Sequence, residues 1–141
     1  MSLENKSYQD FQKWKSYANW LLPSEPLLVV EGLNPLCGDE VKLYCKPNVE
    51  GKVQIVAVGG ESCSICSAAL GFLFKHQNKF QQGELSSYLQ ERKKILEGEE
   101  TSLLDDLEER SFFETVRTHP SRHRCALLPW QTLLKILEVN K

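Results

Sequence analysis

Three short stretches of the chain carry the residues that could do chemistry. They are Asn34-Pro35-Leu36-Cys37-Gly38-Asp39, Gly60-Glu61-Ser62-Cys63-Ser64-Ile65-Cys66 and Arg122-His123-Arg124-Cys125-Ala126. Each sets a cysteine beside a backbone punctuation mark. Gly38 frees the turn between Cys37 and Asp39, so a thiolate and a carboxylate can face one point. Cys63 follows Gly59-Gly60, where an apolar run ends and a helical pattern begins, and Cys125 precedes the last helical pattern. Three thiolates and one carboxylate make a tetrahedral four-ligand set of the kind zinc prefers. A free thiol with a pKa of ~8.5 is mostly protonated at neutral pH, whereas a metal binds the thiolate. Arg122, His123 and Arg124 flank Cys125 and could offset part of the excess negative charge. Cys37 and Cys63 are 26 residues apart and Cys125 lies a further 62 along. These are not the tight pairs of a zinc finger. On spacing alone, three scattered cysteines are more often structural than ligating, and both readings stay open at this point.

Composition narrows the setting. A length of 141 residues favours one domain, spanning 1–141. A hydrophobic fraction of 41% and a charged fraction of 26% are enough for a packed core and argue against disorder. A formal net charge of -2 supplies no global attraction to nucleic acid or an acidic membrane. No apolar run approaches a membrane span, and the first residues lack a signal-peptide layout, so a cytoplasmic protein is expected. In that reducing compartment five cysteines are core residues, metal ligands or reactive thiols rather than a disulfide framework.

The elements that must position the three stretches follow from periodicity. Residues 7–22 read as an amphipathic helix through Phe11, Trp14, Ala18, Leu21 and Leu22, ended by Pro23 and Pro26 and packed on a sheet. Leu27 to Glu31 is a first strand, broken by Gly32 and Pro35. Val41 to Cys45 alternates as a second, and Lys52 to Val58 is a third, after a turn at Pro47, Asn48 and Gly51. Short connections favour an antiparallel meander. Ser64 to Lys79 reads as a helix starting under Cys63, where a thiolate gains from the helix dipole. Gly83 to Leu96 is another, stopped by Gly98. The acidic run Glu97 to Glu109 reads as a solvated face or loop. Thr118 to Ser121 is a loop. Pro129 is tolerated in a first turn, so the last helix is expected to begin near Leu127 or Leu128 with Cys125 at its lip. The fold class is therefore α+β, a three-stranded antiparallel sheet with packed helices.

The motifs also carry a resemblance. Asn34-Pro35-Leu36-Cys37-Gly38-Asp39 resembles the Asn-Pro-x-Cys-Gly-Asp signature of the SufU/IscU/NifU N-terminal family of iron–sulfur cluster assembly proteins. Gly60 to Ile65 looks like that family's second cysteine motif. Arg122 to Trp130 is similar to the third motif of the SufU branch, Arg-x-Lys-Cys-Ala-x-x-x-Trp. The long separation of the second and third cysteines also resembles SufU, and Arg124 stands where IscU has a histidine. The resemblance covers about 27–137. Cys66 stands where the family has a small or apolar residue, Pro129 departs from the third motif, and Phe72 to Gln82 and the amino-terminal region diverge.

The resemblance implies that Cys37, Asp39, Cys63 and Cys125 are the metal ligands, that zinc is the cofactor, and that a SufS-type cysteine desulfurase is the partner. It further implies that a histidine of the desulfurase takes one zinc position and frees Cys37 to accept sulfur as a persulfide, the catalytic role. The sulfur would pass to apo iron–sulfur proteins or an assembly scaffold. The same ligands could instead hold a nascent [2Fe–2S] cluster, which makes the chain a scaffold. Cys63-Ser64-Ile65-Cys66 would be a redox pair in a third reading, although a helix-packing Cys66 or a spare thiol for sulfur relay fits as well. Gly38, Arg124, His123 and Cys66 are expected around the ligands or against a partner. Cys45 reads as a buried strand residue, and His76 and His119 as surface residues. Structural zinc is worth roughly 10–16 kcal/mol in small peptides, but a chain with its own core is expected to be destabilised without metal rather than unfolded.

Overall fold

A computed structural model describes residues 3–25, 27–47, 52–81, 85–99, 104 and 106–139. The expected turn at Asn48 and Gly51, the helix stop at Pro26, the helix start at Gly83 and residues 100–103 and 105 of the acidic run lie outside them. The elements run α1 (Leu3–Lys15), β1 (Leu28–Asn34), β2 (Asp39–Pro47), β3 (Val53–Gly59), α2 (Ser64–Lys75), α3 (Gln77–Gln81), α4 (Leu85–Leu96), α5 (Leu107–Arg117) and α6 (His123–Val139). The strands form one antiparallel sheet in the order β1-β2-β3. This is the expected α+β meander. No described helix is long and apolar enough to cross a membrane.

Alternation makes β2 the central strand. Val41, Leu43 and Cys45 are fully buried, while Lys42, Tyr44 and Lys46 are half-buried on the other face. β3 sits at one edge, and side chains close its open hydrogen-bonding row. The Gln77 side chain accepts from Ile55 N at 2.7 Å and donates to Ile55 O at 3.1 Å; Gln81 accepts from Val53 N at 2.8 Å. Farther along, the Asn19 carbonyl accepts from Val58 N at 2.8 Å. Amides from α3 and the segment after α1 thus stand in for a fourth strand.

Several boundaries differ from the sequence reading. β1 does not break at Gly32 but continues to Asn34, because Gly32 is where α6 crosses the strand: a Cβ there would lie 2.0 Å from Thr132 Oγ1. α1 stops at Lys15, well before Pro23, and Leu21 and Leu22 beyond it are 78% and 77% exposed. Its apolar face packs mainly on α2 and α5 rather than on the sheet. Phe11, Trp14, Phe72 and Phe112 form one aromatic cluster there, with centroids 5.1 to 6.1 Å apart. The helix after Cys63 is broken at His76 into α2 and α3.

α6 starts at His123, earlier than Pro129 suggested, and a short 3-10 turn, Pro120–Arg122, feeds into it. Pro129 is therefore inside the helix and has no N–H for the Cys125 carbonyl four residues back. Glu109, read as part of a solvated acidic run, is instead 1% exposed. It accepts from Arg92 Nε at 2.7 Å, and the Arg92 guanidinium lies 5.0 to 5.8 Å from the ring centres of Phe80, Tyr88, Phe113 and Trp130. This caged ion pair ties α4 and α5 to α6.

Candidate metal centre

The centre forms where β1, β2, α2 and α6 meet. Asn34 and Asp39 are the last facing pair of the β1–β2 ladder, so Pro35 to Gly38 form the hairpin loop. Pro35 presets the turn, Cys37 N closes it onto Asn34 O at 3.3 Å, and Gly38 takes φ +73°. The loop leaves Leu36 75% exposed and Cys37 half-buried. A second clamp brings in the next motif. Glu40 N donates to Glu61 O at 2.7 Å, and the chain turns at Gly60 with φ +96°, where a Cβ would meet Glu40 O at 2.2 Å. The start of α2 is thereby pressed against the start of β2.

Asp39 joins these pieces and is 2% exposed. Its Oδ1 accepts from Cys63 N at 2.8 Å, and its Oδ2 accepts from Asn34 Nδ2 at 3.3 Å. Asn34, itself buried, also donates to Cys125 Sγ at 3.6 Å. The ligand atoms of Cys37, Asp39 and Cys125 all lie within 4.8 Å of one another. Tetrahedral zinc bonds of about 2.3 Å to sulfur and 2.0–2.2 Å to oxygen set ligand atoms roughly 3.5–4 Å apart, so a small contraction fits these donors to an ion. Cys63 reaches the group through its backbone. Its Sγ caps α2 by accepting from Cys66 N at 3.4 Å and is not one of the three clustered ligand atoms.

Electrostatics favour a positive occupant. Burial, followed by hydrogen bonds to Asp39 and Cys37, pushes the Cys125 thiol well above its ordinary range. Arg122 is held more firmly charged, first by a hydrogen bond to Cys125 and then by the field of Cys63. The thiol of Cys37 donates to Ser121 O at 3.6 Å.

The other residues singled out by sequence fall as follows. Arg124 is exposed at a cleft of about 290 Å³ that it shares with Leu33, Asn34, Pro35, Leu128 and Gln131. His123 has Nε2 3.3 Å from Arg117 O, so its ring is engaged away from the sulfurs. Cys66 and Cys45 are fully buried, and burial raises the Cys45 thiol to about 11. His119 is exposed, and His76 is half-buried, 3.3 Å from Asp106. The residue the sequence reading left without a role is Asn34. It was visible only as part of the first motif, and its bridging depends on the hairpin register.

No protein-family model matches the chain. It is 28% identical over 113 residues to the iron–sulfur cluster assembly scaffold protein IscU of Thermotoga maritima, covering 79% of this chain and 77% of that protein. Among solved structures it is similar to a putative iron–sulfur cluster assembly scaffold protein for the SUF system from Fervidobacterium islandicum AW-1. The TM-score is 0.64 and the identity 26%, with 94% of each chain covered. It shares its fold with the N-terminal part of a NifU-like protein from Brucella abortus, with a TM-score of 0.70 and 19% identity over 98% of this chain and 99% of that one. The motifs read along the sequence and the fold that gathers them point to the same relatives, to which this chain is similar.

Proposed function

We propose that this protein works in iron–sulfur cluster assembly as a zinc-dependent acceptor of sulfur. Cys37, Asp39, Cys63 and Cys125 would hold the zinc, which keeps the ligating thiols deprotonated. Cys37 is the acceptor. Its thiolate attacks the outer sulfur of a persulfide on a cysteine desulfurase, one S–S bond forms as another breaks, and the desulfurase cysteine leaves as a thiolate. Cys37 then carries the persulfide toward apo iron–sulfur proteins or an assembly scaffold in the cytoplasm. A SufS-type desulfurase is the partner this reading names.

The observation that carries the proposal is the convergence of Cys37, Asp39 and Cys125 ligand atoms within 4.8 Å. The difference among the sulfurs supports the assignment of roles. Cys125 is buried and held by Asn34, whereas Cys37 sits half-buried on the hairpin loop beside the exposed Leu36. Asp39, through Cys63 N, and Asn34, through Cys125 Sγ, would hold those two cysteines in place while Cys37 serves as acceptor.

A second reading has support in the names of the relatives, two of which are called scaffold proteins. In it the same residues hold a nascent [2Fe–2S] cluster as cargo. Arg124, in place of a histidine next to Cys125, favours transfer. The test uses the purified full chain and a SufS-type desulfurase. Transfer predicts a colourless zinc protein that stimulates desulfurase turnover and loses that stimulation in Cys37→Ala. No stimulation, with a coloured cluster passed to an apo-acceptor instead, would replace it with the scaffold reading.

A further inference from the structure

Cys66 is the cysteine of the three motifs that the metal reading leaves unused. It lies in the first turn of α2, wholly buried, and its backbone N–H donates to Cys63 Sγ at 3.4 Å. Cys63 is the N-cap, with an extended backbone at φ -66° and ψ 168°. Its sulfur therefore hangs over the turn that contains Cys66, outside the cluster of Cys37, Asp39 and Cys125 ligand atoms. Residues three apart on a helix face each other with roughly 5–6 Å between Cβ atoms. A disulfide needs ~4 Å. Cys63 is the cap and not a helical residue, so rotation at that one residue is the movement closure would require.

We propose that Cys63 and Cys66 form a hydroperoxide-responsive dithiol, whose closure to a disulfide withdraws Cys63 from the metal centre. Withdrawal of a ligand rests on the four-ligand reading above; formation of the disulfide does not. Access sets the order of events. Cys63 is half-buried and Cys66 is not exposed at all, so a reagent from solvent meets Cys63 first. The Cys63 thiolate attacks one oxygen of hydrogen peroxide, the O–O bond breaks and hydroxide leaves, giving a sulfenic acid. The Cys66 sulfur then attacks the Cys63 sulfur. An S–S bond forms, the S–O bond breaks, and water leaves carrying the Cys66 proton. The two cysteines together give up two electrons, and the peroxide takes them. Cys45 lies in β2, outside the turn that holds Cys63 and Cys66, and has no part in this. The rival product is a Cys37–Cys125 disulfide, since those sulfurs also lie close.

The experiment treats the full chain, both as purified and after chelation, with one equivalent of hydrogen peroxide. Free thiols are then alkylated under denaturing conditions, and the peptides are weighed. The expected product is a single peptide holding the Cys63–Cys66 disulfide, lighter by two hydrogens, with Cys37, Cys45 and Cys125 alkylated. In the zinc-loaded chain, metal appears on a chromophoric chelator in step with that peptide and rebinds after dithiothreitol. Cys66→Ala, with Cys66→Ser as its polar counterpart, loads metal as the wild type does. With a second equivalent of peroxide these variants give a Cys63 sulfinic acid that dithiothreitol does not restore. A Cys37–Cys125 disulfide, or Cys66 fully alkylated after peroxide, overturns the proposal. A Cys63–Cys66 disulfide in a chain that never binds metal would uphold the dithiol and sink the four-ligand reading instead.

Discussion

Asn34 makes two contacts from one amide, to the Asp39 carboxylate and to the Cys125 sulfur, in a place closed to water. Groups that hold metal ligands in this way typically carry 10–100-fold in affinity. On the zinc reading proposed above, Asn34→Ala is expected to weaken zinc binding by about that factor without removing a proposed ligand, measured by competition with a chromophoric chelator. Unchanged affinity would mean that Asp39 and Cys125 are positioned by their own elements alone. At this scale much was legible, because cysteine, aspartate and the Gly38 turn are chemically distinctive. The role of Asn34 was not, because it depends on which strand residue faces Asp39 across the hairpin. The direction of the Cys63 sulfur was hidden for a similar reason, since a cap residue can point either along its helix or away from it.

Strands β1 to β3 and helix α2 were readable from alternation and helical spacing. The errors fell where packing overrides local preference. Gly32 looks like a strand breaker in sequence, yet its missing side chain is what lets α6 lie against β1. Gly32→Ala would force Thr132 aside in a full core, a change that typically costs 1–3 kcal/mol. The expected result is a lower urea midpoint, partly restored by adding Thr132→Ala. Equal stability of Gly32→Ala and the wild type would show that α6 can shift freely on the sheet. Pro129 misled in the same way. A proline usually marks a first turn, but here the helix begins earlier, directly after the 3-10 turn ahead of Cys125, and buries Leu127, Leu128 and Trp130.

Across the whole molecule, the sheet, the helices and the centre share one apolar core, and the caged pair of Arg92 and Glu109 is set within its helical side. Nothing in the acidic run distinguished Glu109 from its solvated neighbours, because its partner comes from α4 and its surroundings from α3, α5 and α6. Removing one member of a buried pair leaves an uncompensated charge and costs roughly 3–5 kcal/mol, whereas replacing both with apolar residues is often neutral. Arg92→Met is accordingly expected to lose about that much in chemical denaturation, and Arg92→Met with Glu109→Leu to recover most of it. A mild single variant would mean that water reaches the pair. The central claim is that three remote motifs converge on one ion. X-ray absorption at the zinc edge of the purified chain tests it most directly. The account predicts three sulfurs at about 2.3 Å and one oxygen at 2.0–2.2 Å, with one sulfur fewer in each of Cys37→Ala, Cys63→Ala and Cys125→Ala. A zinc shell of oxygen and nitrogen alone, or one unchanged by those substitutions, would contradict it.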